Sequence, residues 1–182
     1  MKKKVMVGSV IFAMVGAFSA SSQALVSSET KQAADHLGAA DLAEVKFEQK
    51  QAGLSDEAKK DLAKLVTDAK AKGDIKEIKI LAWADEEYPT ANQPVSKAQT
   101  NLASQRDDQI KNYLKKELHV SKVDVYNMAE RPGKLAQWLK TSDAKVKDTA
   151  EASGAAPRTK EETGFLGLKG QASKAVALVF MK

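Results

Sequence analysis

Apolar positions recur along the chain with two different spacings, and each change of spacing marks a new element. Alternation with period two predicts three short strands, at 44–48, 75–83 and 123–127. Apolar residues three and four positions apart predict two helices, at 55–73 and 96–117. The uncharged run 175–181 contains β-branched and aromatic residues and predicts a last strand that is buried on both faces.

Residues with capping propensity support both helices. Ser55 can accept a hydrogen bond from the first exposed amides of its helix, and Gly73 can end that helix in a left-handed conformation. The apolar stripe between them consists of Ala58, Leu62, Leu65, Val66 and Ala69. Ser96 and Gln99 match the capping box that opens the second helix.

Two segments have weaker patterns. Residues 25–43 are polar and alanine-rich, which predicts a flexible leader with at most a short helix. Between 133 and 172 large apolar residues are scarce. Leu135, Trp138 and Leu139 predict one short helix there, and the stretch from Thr141 to Gln171 predicts a long mobile loop. Such a composition buries too little apolar surface to offset the conformational entropy of the chain.

The order strand, helix, strand, helix, strand, loop, strand predicts an α+β fold. Right-handed crossovers place both helices on the same face of one mixed sheet, so we expect a two-layer sandwich. The chain length suits a single domain, which we place at 44–182 with an insertion at about 133–172, before the last strand.

The first 24 residues have the layout of a secretory signal peptide. Lys2, Lys3 and Lys4 precede an uncharged apolar run at 5–18, and small residues lead to a cleavage site after Ala24. A retained membrane anchor is the alternative, although this run of 14 residues is short for a bilayer, which needs about 20. Since no other segment is long and apolar enough to cross a membrane, we expect a periplasmic protein without a transmembrane span after cleavage.

Composition excludes several kinds of site. The sequence has no cysteine and only two distant histidines, His36 and His119, so we expect no disulfide, no thiol nucleophile, no metal site and no cofactor. Cleavage after Ala24 removes three of the five net positive charges and leaves acids and bases interleaved, which argues against a nucleic-acid partner. Because the sequence has no nucleophilic triad, glycine-rich phosphate loop or metal-ligand spacing, we do not expect an enzyme.

One charged residue interrupts an apolar stripe. Leu102, Arg106 and Ile110 are four residues apart, so Arg106 lies on the apolar face of its helix. Its side chain either extends past the edge of the core to water or is buried with an anionic partner. Asp85, at the carboxyl end of the preceding strand, is the candidate partner. A carboxylate and a guanidinium across a shallow crevice would suit a zwitterionic, amino-acid-like ligand.

The same residues carry a resemblance to a known family. Ala82-Trp83-Ala84-Asp85 at a strand end, Leu102-Ala103-Ser104-Gln105-Arg106 in a helix and Val123-Asp124-Val125 resemble the peptidoglycan-binding domain of the outer-membrane-protein-A-like family. The resemblance covers roughly 44–131 and 173–181. Several positions differ from the family pattern: Ala82 replaces a glycine, Ala84 a threonine, Gln99 an asparagine, and Ser173-Lys174 an Asn-Arg pair.

The resemblance implies a βαβαββ domain near the outer membrane that binds the diaminopimelate residue of the peptidoglycan stem peptide without catalysis. Asp85 would bind the ammonium group of this ligand and Arg106 its carboxylate, with Gln99 and Lys174 assisting. Because many of the residues that support the pair differ from the family, the alternative is a degenerate domain without peptidoglycan affinity that contacts other envelope proteins.

Overall fold

The computed structural model describes residues 26–86, 94–133, 141–153, 155 and 173–182. These residues form four helices and four strands. In chain order the elements are α1 (Ser28–Leu37), β1 (Asp41–Lys46), α2 (Asp56–Lys72), β2 (Ile75–Ala82), α3 (Lys97–Lys116), β3 (Val123–Asn127), α4 (Ser142–Ala152) and β4 (Lys174–Met181). None of the helices within these ranges combines the length and the hydropathy that crossing a membrane would require.

The four strands form one mixed sheet in the order β1-β4-β2-β3. Strands β2 and β3 run parallel, whereas β4 runs antiparallel to both of its neighbours, β1 and β2. The last strand of the chain therefore lies inside the sheet, and its first six residues are buried. The predicted α+β fold with a mixed sheet is confirmed.

Helix α2 shows most directly how the apolar pattern becomes the core. Ser55 accepts a hydrogen bond from the amide of Ala58 at 3.1 Å, as predicted for an N-cap. Every residue of the predicted stripe of α2 is buried, and the stripe packs together with α3 residues against one face of the sheet. Gly73 ends the helix, but with φ 154° and ψ −160° rather than in the predicted left-handed helical conformation.

The other face of the sheet is also covered, by α1 and α4. Ala33 and Ala34 of α1 pack there with Val146 and Ala150 of α4 and with residues of the sheet. The prediction that helices lie on one face therefore holds for α2 and α3 but misses this second layer. It was missed because short alanine side chains allow close packing without the large apolar residues on which a periodic pattern depends.

Two predicted irregular segments are corrected by this second layer. The short helix allowed for at 25–43 is present as α1, but it packs on the sheet instead of lying in a flexible leader, and β1 begins at Asp41 rather than at Glu44. The loop predicted from Thr141 onward contains α4, whose first turn is capped by the Thr141 hydroxyl at 3.3 Å from the Ala144 amide. The short helix predicted around Leu135, Trp138 and Leu139 lies outside the described residues.

A substitution of Leu62 tests whether the apolar stripe of α2 forms part of the main core. Its side chain is completely buried in the middle of the stripe. Leu62→Ala should lower the free energy of unfolding by about 2–5 kcal/mol, because it removes buried methyl groups and leaves a cavity. Urea denaturation followed by circular dichroism measures this change. Lys60→Ala, an exposed position on the same helix, is the control and should change stability by less than about 0.5 kcal/mol; equal losses for both variants would contradict the assignment.

Candidate functional site

The two charged residues predicted to pair meet at the carboxyl end of β2. Asp85 follows this strand by three residues, and Arg106 lies in the middle of α3. Nη2 of Arg106 is 2.7 Å from Oδ1 of Asp85, which makes the contact both an ion pair and a hydrogen bond. The alternative in which Arg106 extends past the core to water is wrong, since its side chain is 0% exposed.

Most N–H groups of the Arg106 guanidinium donate hydrogen bonds to other parts of the protein. Its Nε donates to the carbonyl of Gln51 at 2.9 Å, and Nη1 donates to the carbonyl of Trp83 at 2.8 Å. Nη2 donates to the carbonyl of Glu48 at 3.1 Å in addition to Asp85. Four of the five N–H groups of the side chain therefore have acceptors.

The Phe47 ring covers the guanidinium of Arg106, with its centroid 4.8 Å from the central carbon. This cation–π contact adds to the attraction at a desolvated site. Phe47 follows β1 directly, and the carbonyls of Glu48 and Gln51 belong to the same connection to α2. The loop after β1 therefore closes over Arg106 and separates it from solvent.

The carboxylate of Asp85 is held from three sides. Oδ1 accepts from Arg106 and from the Ser173 hydroxyl at 2.7 Å, and Oδ2 accepts from the Lys50 amide at 2.5 Å. Burial alone would raise the pKa of Asp85, but the hydrogen bonds from Ser173, Arg106 and Lys50 outweigh it and lower the pKa. Asp85 is therefore a carboxylate at neutral pH, and 11% of its side chain is exposed.

Two of the residues that hold Asp85 have left-handed backbones. Lys50 has φ 61° and Ser173 has φ 63°, a region that costs residues with a Cβ about 1–2 kcal/mol. His119 is the other such residue among the described non-glycine residues. Two of these three residues thus donate a hydrogen bond to the same carboxylate, that of Asp85. This indicates that the hydrogen bonds to Asp85 determine the backbone conformation of both segments.

Gln99 lies beside the pair, as the resemblance implies, but its side chain is already bonded. Its Oε1 accepts from the backbone amide of Asp85 at 2.9 Å. Ser96 caps α3 by accepting from the Gln99 amide, at 3.4 Å. The predicted capping box is therefore only half formed, because the amide side chain of Gln99 positions Asp85 instead of bonding back to Ser96.

Lys174 does not belong to this site. Its neighbour Ala175 faces the core beneath α2 and α3, so Lys174 points to the opposite face of the sheet. There its Nζ lies 3.5 Å from Oε2 of Glu44 and 5.3 Å from the centroid of the Trp83 ring. Lys174 and Glu44 are both 4% exposed and compensate each other. The resemblance assigned the right dipeptide but the wrong residue, since Ser173 makes the contact with Asp85.

Sequence reasoning missed several residues of the site for a common reason. Lys50 contributes a backbone amide, and Glu48 and Gln51 contribute carbonyls, so their side-chain types carry no signal. Ser173 could have been found, because it occupies the first position of the family's Asn-Arg pair. Within the described ranges no three histidine, aspartate or glutamate side chains come together as a metal site would require.

Neither a protein-family model nor a curated protein sequence matches this chain. The likeness to the outer-membrane-protein-A-like family thus depends on the short motifs given above. What the site can do follows from its geometry: it holds a compensated ion pair with one small exposed edge on Asp85.

A substitution of Arg106 tests whether the Arg106–Asp85 ion pair stabilises the fold. Arg106→Met should lower the free energy of unfolding by about 3–5 kcal/mol, because it leaves the Asp85 carboxylate without its cation and removes the donor from the carbonyls of Gln51 and Trp83. Urea denaturation measures the loss. Lys115→Met, at an exposed position of the same helix, is the matched control and should change stability by less than about 0.5 kcal/mol. A small loss for Arg106→Met would contradict a structural role of the pair.

Glycine substitutions at Lys50 and Ser173 distinguish the contribution of backbone strain to stability from that of the hydrogen bonds to Asp85. Lys50→Gly keeps the amide that donates to Asp85 and relieves the left-handed strain, so it should leave stability unchanged or raise it by up to about 1 kcal/mol. Ser173→Gly relieves the same strain but removes the hydroxyl that donates to a carboxylate, and should lower stability by about 1 kcal/mol or more. Thermal and urea denaturation compare the two variants. Equal changes would mean that the Ser173 hydroxyl contributes nothing.

Proposed function

We propose that the chain is a non-catalytic domain of the cell envelope, exported to the periplasm, that contacts other envelope proteins and lacks peptidoglycan affinity. The observation that carries this proposal is the complete burial of Arg106. A cation that recognises a ligand carboxylate must offer free N–H groups, and four of the five in Arg106 are bonded to the protein.

The energetics of the pair also favour a structural role. A ligand carboxylate could reach the guanidinium only if the carbonyls of Glu48 and Gln51 moved away, which would break two hydrogen bonds to a buried charge. Hydrogen bonds to charged groups contribute about 1.5–3 kcal/mol each. A small zwitterion must recover this loss as well as the cost of its own desolvation, and a single-residue ligand offers few further contacts.

A second candidate function is recognition of the diaminopimelate residue of peptidoglycan. Two observations favour it: Asp85 and Arg106 lie together at the end of β2, and the Asp85 side chain keeps 11% of its surface exposed. In this interpretation the ammonium group of the ligand contacts the exposed edge of Asp85. Its carboxylate then replaces the loop carbonyls on Arg106.

Cosedimentation with purified sacculi decides between the two candidates. The mature protein, residues 25–182, is incubated with sacculi at low ionic strength, where weak charge-assisted binding is strongest. We expect the protein to stay in the supernatant. Pelleting of the unchanged protein would overturn the proposal.

Two matched variants identify the source of any binding. If pelleting occurs and Asp85→Asn abolishes it while Asp56→Asn does not, the diaminopimelate candidate replaces the proposal. Asp56 is a suitable control because its side chain is fully exposed on α2, away from the pair.

In-cell crosslinking tests whether the domain contacts other envelope proteins. It should give a discrete protein adduct that persists after the peptidoglycan is digested with a muramidase. Loss of the adduct on digestion would contradict it.

A further inference from the structure

Strand β1 is an outer strand of the sheet, and one of its sides has no partner strand among the described residues. Its other side pairs with β4 in an antiparallel ladder. The Phe47 amide donates to the carbonyl of Ser173 at 2.7 Å, so Phe47 continues this ladder at a hydrogen-bonded position. Since such positions alternate along an antiparallel pair, the backbone amides and carbonyls of Leu42, Glu44 and Lys46 point away from β4.

Asp41 occupies one of these outward amides. Its Oδ1 accepts from the Leu42 amide at 2.9 Å, which agrees with an outward direction of that amide, and its Oδ2 pairs with Lys72 of α2. In the part of the chain that the structure describes, the outward amides of Glu44 and Lys46 have no acceptor. An unpaired edge of this kind is a template on which an extended segment of another chain can add a strand.

Two helices flank this edge, one on each face of the sheet, and make it the floor of a cleft. Ala43 faces the α2 side, where it packs against the main core, and Leu42 faces the α1 side. The cleft has a volume of about 460 Å³, and residues 39–44 line it together with side chains of α1 and α2, Leu65 among them. We call it the edge cleft. Its floor therefore combines unpaired backbone groups with half-buried apolar side chains, which suits an extended peptide.

Both walls of the edge cleft carry an aspartate that has no ion-pair partner among the described residues. Asp61 lies on α2 and Asp35 on α1. The other acids of the cleft are compensated, since Lys64 pairs with Asp68 and the two acids of β1 pair with lysines outside the cleft. Lys31 of α1 is the one lysine of the cleft that pairs with none of them. The uncompensated charge is therefore negative on the α2 wall and mixed on the α1 wall, which favours a cationic partner over an anionic one.

We propose that an extended segment of an envelope protein, with apolar and basic side chains, adds a strand to β1 in the edge cleft. Its backbone pairs with the outward groups of Glu44 and Lys46, and its alternate side chains point to α1 and α2, where basic ones meet Asp35 and Asp61. Charge disfavours a second copy of this chain, because antiparallel pairing of two β1 edges would place two α2 walls, each with Asp61, side by side. This inference rests on the proposed function, since it names the surface through which the domain contacts other envelope proteins.

Fluorescence anisotropy with a labelled strand-forming peptide tests the proposal on the mature protein. The probe is a short peptide of valine and threonine with one lysine on each of its two faces, and it should bind at low ionic strength. A peptide with glutamate in place of both lysines should bind at least tenfold more weakly, because the excess charge of the edge cleft then repels it. Failure of the lysine peptide to bind, or equal binding of both peptides, would overturn the proposal.

Backbone methylation of the lysine peptide distinguishes strand addition from simple charge attraction. A strand added to β1 uses only every second amide of the peptide, since the others point to solvent. N-methylation of one alternate set of amides should therefore abolish binding, whereas methylation of the other set should preserve it. Equal losses from the two methylated peptides would mean that the peptide does not add as a strand, and the proposal would be wrong.

Two pairs of variants locate the binding in the edge cleft. Asp61→Asn should weaken binding of the lysine peptide by about twofold to fivefold, as expected for one exposed ion pair. Asp56→Asn, on the same helix but outside the cleft, should leave it unchanged. Lys46→Pro removes one outward amide without breaking a hydrogen bond between β1 and β4, and should weaken binding more than Lys46→Ala, which keeps that amide. Equal affinities within either pair would contradict this location and overturn the proposal.

In-cell crosslinking separates this inference from the proposed function. If the protein adduct forms in Lys46→Pro as strongly as in the unchanged protein, the domain contacts its partner through another surface, so this inference is wrong and the proposed function stands. Loss of the adduct on muramidase digestion would overturn the proposed function instead, whereas the peptide measurement needs no envelope partner. Sedimentation equilibrium of the purified protein covers the remaining occupant: a dimer that Lys46→Pro dissociates would place a second copy in the edge cleft and overturn the inference.

Discussion

The burial of one guanidinium determines the structure around the end of β2. An unpaired charge in the protein interior costs several kcal/mol, comparable to the whole stability of a small domain. Arg106 avoids this cost because Asp85 and three carbonyls surround it. Those acceptors come from the loop after β1 and from the exit of β2, so both segments must close on α3 for the charge to be tolerated. The left-handed backbones of Lys50 and Ser173 are a consequence of the same constraint, since each places a donor on Asp85.

The same constraint separates two functions that would use the same residues. A site that recognises a zwitterion must leave part of its anion and part of its cation unsatisfied until the ligand arrives, at a cost to stability. A structural pair does the reverse and satisfies both charges internally. Here the oxygen atoms of Asp85 accept three hydrogen bonds, and the Arg106 side chain has no exposed surface. Both charges are satisfied within the protein, and this is why we propose a structural role for the pair, although its two charges occupy the positions that the family resemblance implies.

The sequence predicted those parts of the fold in which large apolar side chains recur with a regular period. The stripe of α2 and the interior strand β4 are of this kind, and the spacing of Leu102, Arg106 and Ile110 correctly placed the arginine on the buried face of α3. Helix α4 was not predicted, and α1 was allowed for only as a short helix in a flexible leader, because alanines make up half or more of their buried residues and Lys147 is another in α4. The placement of Lys174 failed for a different reason. One step along a strand reverses the face to which a side chain points, so a resemblance that locates a dipeptide does not decide which of its two residues reaches the site.

Arg106 and Asp107 show two ways in which one helix tolerates adjacent buried charges. A guanidinium stays protonated at any accessible pH, so it can be buried only if acceptors surround it. A carboxyl group can instead become neutral by binding a proton, and it can then be buried without any cation. Asp107, with Oδ1 unpartnered, follows the second course. The first course produces a contact that does not respond to pH near neutrality. The second leaves a titratable carboxyl group buried on α3, where burial raises its pKa to about 8.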